Sequence, residues 1–210
     1  MRAVPRLVLA SASPARRRLL EHAGIPAEVT VSGVDESLAD EPDPAALSLV
    51  LARWKAEAVA ARVTDALVLG CDSVLEFAGQ PLGKPADAAE AARRWYAMRG
   101  KSGVLHTGHA LIRVGPGDAG GTVGGEQARA EAVASTRVHF ADVSDEEIAA
   151  YVGTGEPLHV AGAFTIDGLS GPFVESIEGD HGNVIGLSLP LLRRLLATVG
   201  TGLTALWRAG

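Results

Sequence analysis

The chain is poor in several things at once. It has one cysteine, Cys71, so neither a disulfide framework nor a cysteine-based zinc site can be built from it. A lone thiol fits a reducing cytoplasm. Aromatic residues make up 4% of the 210 positions, so a core of Ala, Val and Leu is expected. Positive charge is short as well. The net charge of −6 argues against a nucleic-acid groove, while leaving room for a local positive pocket. Long apolar runs are missing too. The opening MRAVPRLVLASASPARRR holds only Leu7 to Ala10 as an apolar piece before its arginines, too little for a signal peptide. No run approaches the length of a membrane helix. His106, His109, His139, His159 and His181 show no metal spacing such as HExxH, so no zinc site is expected. The expectation is a soluble cytoplasmic protein with no nucleic-acid or membrane partner.

What is present reads as a folded domain: 47% hydrophobic and 21% charged residues, with no internal repeat and no dividing linker. Arg6 to Ala10 predicts a first strand. Ser13-Pro14 then starts a helix that stops at Gly24, with serine as N-cap and proline at the first helical position. Ala27 to Val31 predicts a second strand. Asp43-Pro44 opens a long helix to about Arg62, with Leu47, Val50, Leu51, Trp54 and Ala58 at helical spacing. A third strand is expected over Ala66 to Leu69. A separate hairpin should follow, from Val74-Phe77 and Pro81-Leu82 around Ala78-Gly79-Gln80. Asp87 opens a helix ending near Gly100. Val104 to Val114 and Ala132 to Ala141 read as antiparallel strands joined by a glycine-rich loop, Gly115 to Glu126. Ser144 to Glu147 is a capping box starting a helix that runs to about Val152. Phe164 to Ile166 and Phe173 to Ile177 predict short strands, and a last helix covers about Leu189 to Val199. Strands alternating with helices imply an α/β domain with a mixed central sheet flanked by helices.

Several residues could carry chemistry. Ser11-Ala12-Ser13-Pro14-Ala15-Arg16 sets two hydroxyls and an arginine at a helix N-terminus, where an anion is favoured. The bland alternative is a simple N-cap with solvated arginines. Asp72, read as lying at a strand end, can hold Mg²⁺ or take a proton from water; it can equally be a turn-forming Asp. Lys84, in Gly83-Lys84-Pro85, lies where glycine lets the backbone come close to a ligand. The stretch is no P-loop, because it lacks the Ser/Thr after lysine and a following helix start, so γ-phosphoryl transfer is not supported. Asp35-Glu36 offers a second carboxylate. By position alone, Lys55 is a solvated helix lysine. Glu178 to Asn183 is a polar turn.

Five ordered segments together resemble the Maf family of nucleoside triphosphate pyrophosphatases over nearly the whole chain. They are LASASPARRRLL (9–20), GCDSVLEFAGQPLGKP (70–85), RGKSGVLHTG (99–108), GEPLHVAGAFTIDG (155–168) and IEGDHGNVIGLSLPLL (177–192). The resemblance implies one Maf/ITPase-like domain over residues 1–210, with a substrate cleft between two lobes. It implies hydrolysis between the α and β phosphates, releasing a monophosphate and pyrophosphate, with a divalent cation, Mg²⁺ or Mn²⁺, as cofactor. Carried over residue by residue, Asp72 is the catalytic proton acceptor. Ser11, Ser13, Arg16, Lys55, Lys84 and Asp167 fall on substrate-binding positions, and Asp72 and Glu36 on metal positions. The family also implies house-cleaning of unwanted nucleotides and a possible homodimer. Two departures stand out: Ala15 replaces the family's first arginine after Ser-Pro, and Asp167 replaces its glutamine. A carboxylate accepts hydrogen bonds but cannot donate as an amide does. The alternatives are a nucleotide-binding regulator of septum formation and a pyrophosphatase of the same broad fold acting on purine bases. Retention of both Asp72 and Lys84 favours the enzyme.

Overall fold

The computed structural model describes residues 5–116 and 128–207. The expected glycine-rich loop falls largely on residues 117–127, outside the described residues. Strand β1 (Leu7–Leu9) leads to helix α1 (Pro14–His22) and strand β2 (Ala27–Val29). Helix α2 (Pro44–Ala60) is followed by β3 (Ala66–Phe77), β4 (Gln80–Leu82) and α3 (Ala88–Met98). Two long strands, β5 (Ser102–Val114) and β6 (Arg129–Phe140), precede α4 (Asp145–Gly153). Strand β7 (Val174–Glu178), the short α5 (His181–Ile185) and α6 (Leu189–Thr198) complete the chain.

The helix starts obey local chemistry. Ser13 caps α1, Asp43 caps α2, Asp87 caps α3 and Ser188 caps α6, each accepting a backbone N–H of the first turn. Ser144 and Glu147 make the full reciprocal box on α4. Two strand expectations are corrected. The third strand does not end at Leu69; it continues unbroken for 12 residues through Asp72 to Phe77 and then turns back through Ala78 and Gly79, both at positive φ. Gly70 misleads as a strand terminator, because a glycine inside a strand marks close approach of another backbone. Residues 164–166 form no strand. Ala161–Ala163 is a 3-10 turn with Gly162 and Ala163 at positive φ, which takes the chain off any ladder.

The seven strands of the described residues join one mixed sheet in the order β2-β1-β3-β5-β6-β7, with β4 also pairing β3. β1 runs parallel to β2 and β3, while β3, β5, β6 and β7 are successively antiparallel. β5 occupies one whole edge of β3. The other edge is shared: β1 pairs with Leu67–Leu69, and β4 pairs with Leu75–Phe77.

The sheet is covered differently along its length. In the half around β1, one face packs Leu7, Leu9, Leu69 and Leu111 against Leu20 of α1 and Leu191–Leu196 of α6. The other face packs Val8, Val68 and Ala110 against Ala52, Ala56 and Val59 of α2. These layers are aliphatic, as expected. In the other half, Leu75, Leu105, Val138 and Phe140 meet Trp95, Met98, Ile148 and Tyr151 from α3 and α4. The scarce aromatics collect there: Trp95, Phe140, Tyr151, Phe164 and Phe173 pack edge to face with centroids 5.0 to 5.8 Å apart. The composition could not say that five of its rings would pack together, with Trp207 apart beside Gly24.

Candidate active site

Between the last residue paired to β1, Leu69, and the first paired to β4, Leu75, strand β3 has an open edge. Asp72 sits in the middle of this notch, opposite Gly108 of β5. The notch lies on the central strand, where the resemblance puts a substrate cleft between two lobes. Side chains alternate across a strand, so Asp72 faces α2 and Ser73 faces α1 and α5. The two sides of the notch therefore carry different chemistry.

On the α2 side, Lys55 Nζ lies 2.5 Å from Asp72 Oδ1 and 2.8 Å from Glu36 Oε1. Lys55 and Asp72 keep only 10% and 11% of their side-chain surface, while Glu36 remains 54% exposed. Lys55 is thus a buried ion-pair lysine and not the solvated one its position suggested. The missed signal was its company, because Ala52 and Ala56 flank it and let α2 lie directly on the sheet. Two strand glycines complete that seating. A Cβ at Gly70 would stand 2.1 Å from the Ala52 carbonyl oxygen, and one at Gly108 would stand 2.2 Å from that of Ser48. Burial pushes the Asp72 carboxyl up from the ordinary range, and the charges of Lys55 and Arg16 pull it part of the way back. A carboxyl so placed is a stronger base than a free Asp. Cys71 next to it turns into the core, where burial pushes its thiol up to about 12 and leaves it inert.

On the other side, Arg16 is buried and most of its donors are committed. Its Nε donates to the Gly186 carbonyl at 2.7 Å, Nη1 to Ser11 Oγ at 3.0 Å and Nη2 to Ser73 Oγ at 3.0 Å. Ser73 Oγ lies 2.9 Å from Thr107 Oγ1, which donates to the Asn183 carbonyl. Arg16 therefore ties α1, β3 and α5 together at the rim of the notch. Ser73 and Thr107 were not singled out from the sequence. Ser11 Oγ accepts the Ser13 N–H, and Ser13 Oγ accepts the Arg16 N–H, so both hydroxyls shape the turn that ends β1.

Lys84 is exposed two residues beyond the β3–β4 pairing and forms no ion pair among the described residues. It flanks the far end of the notch, with Gly83 anchored by its carbonyl to the Gly162 N–H and Arg94. Asp167 lies on a turn where it accepts from Thr165 Oγ1 and faces Arg18 of α1 at 3.5 Å. It stands by α1, away from the Lys55 side.

The family model described as "Maf-like protein" matches residues 6–199. The chain belongs to the Maf-like family. A "Nucleoside triphosphate pyrophosphatase" of Salinispora tropica is 63% identical over 210 residues, covering 98% of this chain and 88% of that protein. Proteins of the same name from Streptomyces coelicolor and Nostoc punctiforme are 60% and 52% identical, over 96% and 98% of this chain and 94% and 99% of theirs. A solved HAM1 protein from Coxiella burnetii covers 66% of this chain and 74% of its own, at 16% identity and a TM-score of 0.38, too slight a likeness to carry an argument.

In this Maf-like protein, the donor set of the notch suits a hard divalent cation. Among the described residues, no group of three or more His, Cys, Asp or Glu could form a closed cage. What the notch has is a carboxylate pair, Asp72 and Glu36, bridged by one lysine. Mg²⁺ is commonly held by one or two carboxylates and completed by substrate phosphates, so these residues fit it. No helix among the described residues is long and apolar enough to cross a membrane.

Proposed function

We propose that this Maf-like protein hydrolyses nucleoside triphosphates to the monophosphate and pyrophosphate, with Asp72 as the proton acceptor. One observation carries the reading: a buried Asp72–Lys55 pair, joined by Glu36, at the open edge of the central strand. The curated relatives named for this activity, at up to 63% identity over nearly the full chain, support it. Phosphoanhydride cleavage needs positioning and charge neutralisation more than covalent help. Lys84 is free to meet the phosphates, and Lys55 holds Asp72 in place. Ser11, Ser13 and Arg16 line the rim of the same notch, where Arg16 keeps the turn after β1 in register with β3. Asp72, its basicity raised by burial, takes the proton of the attacking water. Asp72 and Glu36 would hold the divalent cation, which supplies charge neutralisation and a more acidic water. Asp167 offers acceptors where an amide would offer both roles, and so narrows the nucleotides accepted. House-cleaning of unwanted nucleotides, a reducing cytoplasm and a homodimer go with this reading; the single buried thiol supports the cytoplasm.

The test is incubation with Mg²⁺ or Mn²⁺ and a panel of normal and modified triphosphates, scoring pyrophosphate against orthophosphate. Pyrophosphate release that disappears in Asp72→Asn is the expected result. Release of orthophosphate, or an Asp72→Asn variant at full rate, overturns it.

A further inference from the structure

Past the N-terminal end of α2, the face of the sheet that carries Asp72 continues along β3, β5 and β6. On this shelf His106 Nδ1 lies 2.8 Å from Ser135 Oγ, and His106 Nε2 lies 3.0 Å from Glu76 Oε2. His106 and Ser135 are direct partners across β5 and β6. Even-numbered residues of β5 exchange their backbone hydrogen bonds with β3, so His106 and Ser135 form a non-hydrogen-bonded pair, the kind whose side chains approach most closely. The proton positions follow from the partners. An ionised Glu76 can only accept, so Nε2 carries the hydrogen. In a neutral imidazole Nδ1 is then the acceptor, and the Ser135 hydroxyl must donate to it. The result is a hydroxyl aimed at a base, and a base oriented by a carboxylate.

A second relay of the same types lies beside it. Ser102 Oγ is 2.7 Å from His139 Nδ1, and His139 Nε2 is 2.8 Å from Glu178 Oε1. The two differ in environment. His106 and Glu76 keep 10% and 39% of their side-chain surface, against 32% and 68% for His139 and Glu178. Water competes less for the first relay, so its hydrogen bonds orient the ring more firmly. Ser135 itself is exposed. Arg137, exposed two residues along the same face of β6, has no side-chain hydrogen bond or ion pair to another described residue, so its guanidinium can meet negative charge near Ser135.

We propose that Ser135 is an activated nucleophile, with His106 as its base, Glu76 orienting that base and Arg137 stabilising the developing oxyanion, and that it takes acyl groups from activated esters. Ser135 Oγ attacks the carbonyl carbon, and its proton passes to His106 Nδ1. The carbon–oxygen bond to the alcohol breaks, the alcohol leaves with the electron pair, and His106 returns the proton to solvent or to the leaving oxygen. The serine is left as an ester. Ser135 is exposed in front of a buried His106, so stoichiometric acylation is expected in place of rapid turnover. This site is separate from the notch at Asp72 and does not depend on the function proposed there.

The experiment treats the full-length protein with p-nitrophenyl acetate and follows acetylation by intact mass and peptide mapping. One acetyl group is expected, on Ser135. Ser135→Ala removes it, His106→Gln slows it by about 100-fold or more, and Ser102→Ala leaves it unchanged. Nucleoside triphosphate hydrolysis measured on the same Ser135→Ala and His106→Gln proteins stays at the wild-type level and reports an intact fold. Acetylation confined to lysines, an unchanged rate in His106→Gln, or Ser102 reacting as fast as Ser135 would each overturn the proposal.

Discussion

The three long strands β3, β5 and β6 run through two unlike halves of one sheet. Near β1 the sheet is sandwiched, with aliphatic layers from α1 and α6 below and α2 above. Beyond Asp72 it has aromatic packing on one face only, and its other face carries Glu76, His106, Ser135 and Arg137. Asp72 stands at the step between them. The same strand can thus bury a carboxyl against α2 at one point and expose another, Glu76, four residues on. The lesson is that the reactivity of a strand carboxylate is set by what covers that stretch of sheet, and hardly by the strand itself.

The comparison can be broken at its boundary. Asp72→Asn should lower the rate of triphosphate hydrolysis by about 10²–10⁴, the range for loss of a general base, with the fold retained by circular dichroism. Glu76→Gln, on the open half of the same strand face, should leave that rate within about twofold, since it lies outside the Lys55–Asp72–Glu36 group. Equal losses in the two variants would erase the distinction between the halves.

Lys55→Met sharpens the boundary by pH. Removing the cation leaves burial as the dominant influence on Asp72, so its carboxyl moves further up. The acid limb of kcat against pH should then shift to higher pH than in the wild type. An unshifted limb would remove Asp72 as the group whose ionisation is being read.

Gly70→Ala attacks the seating of α2. The new methyl meets the Ala52 carbonyl oxygen, and the helix must lift. A loss of about 1–3 kcal/mol or more is expected from urea unfolding, together with a lower kcat as Lys55 leaves Asp72. On the open half, Arg137→Ala should change stability by no more than about 0.5 kcal/mol.

His109 gives a stability test inside the sandwiched half. Its Nδ1–H donates to the Thr107 carbonyl and its Nε2 accepts the Ser188 N–H, so it is held neutral. Burial pulls its pKa down to about 4. Above about pH 6.5 neither the folded nor the unfolded chain protonates it and the stabilisation is complete. As pH falls from there toward 4, the unfolded chain gains a proton that the folded one refuses, and about 3 kcal/mol is lost. Urea midpoints should drop across that window, and the drop should be shallower in His109→Gln.

The elements whose signals are local were legible. Ser13-Pro14, Asp43-Pro44, Asp87 and the Ser144–Glu147 box fixed helix starts because a cap is a contact between residues three apart. The motif segments were also legible and held Asp72 and Lys84, while Glu36 and Lys55 came only from the family resemblance; the structure brings Glu36 and Lys55 onto Asp72. The length of β3 was not legible, because Gly70 and Asp72 look like turn residues until α2 is seen lying on them. Arg16 was expected at the phosphates, yet what it holds is Gly186, Ser11 and Ser73, partners from three separate segments. Ser73 and Thr107 lie inside two of the quoted segments, yet nothing in those segments marked them as its anchors.

The sequence by itself determined the α/β class, the starts of the capped helices α1, α2, α3 and α4 and the family, since each rests on short-range patterns of residue type; α5 (His181–Ile185), read as a polar turn, it missed. Only the tertiary structure decided that Lys55 is buried on Asp72, that five of the rings pack together in one half, and that the His106 and His139 relays share the sheet face of Asp72. Those outcomes depend on which strand edge is shared and where a helix stops covering the sheet, and these are relations between residues tens of positions apart that no local pattern records.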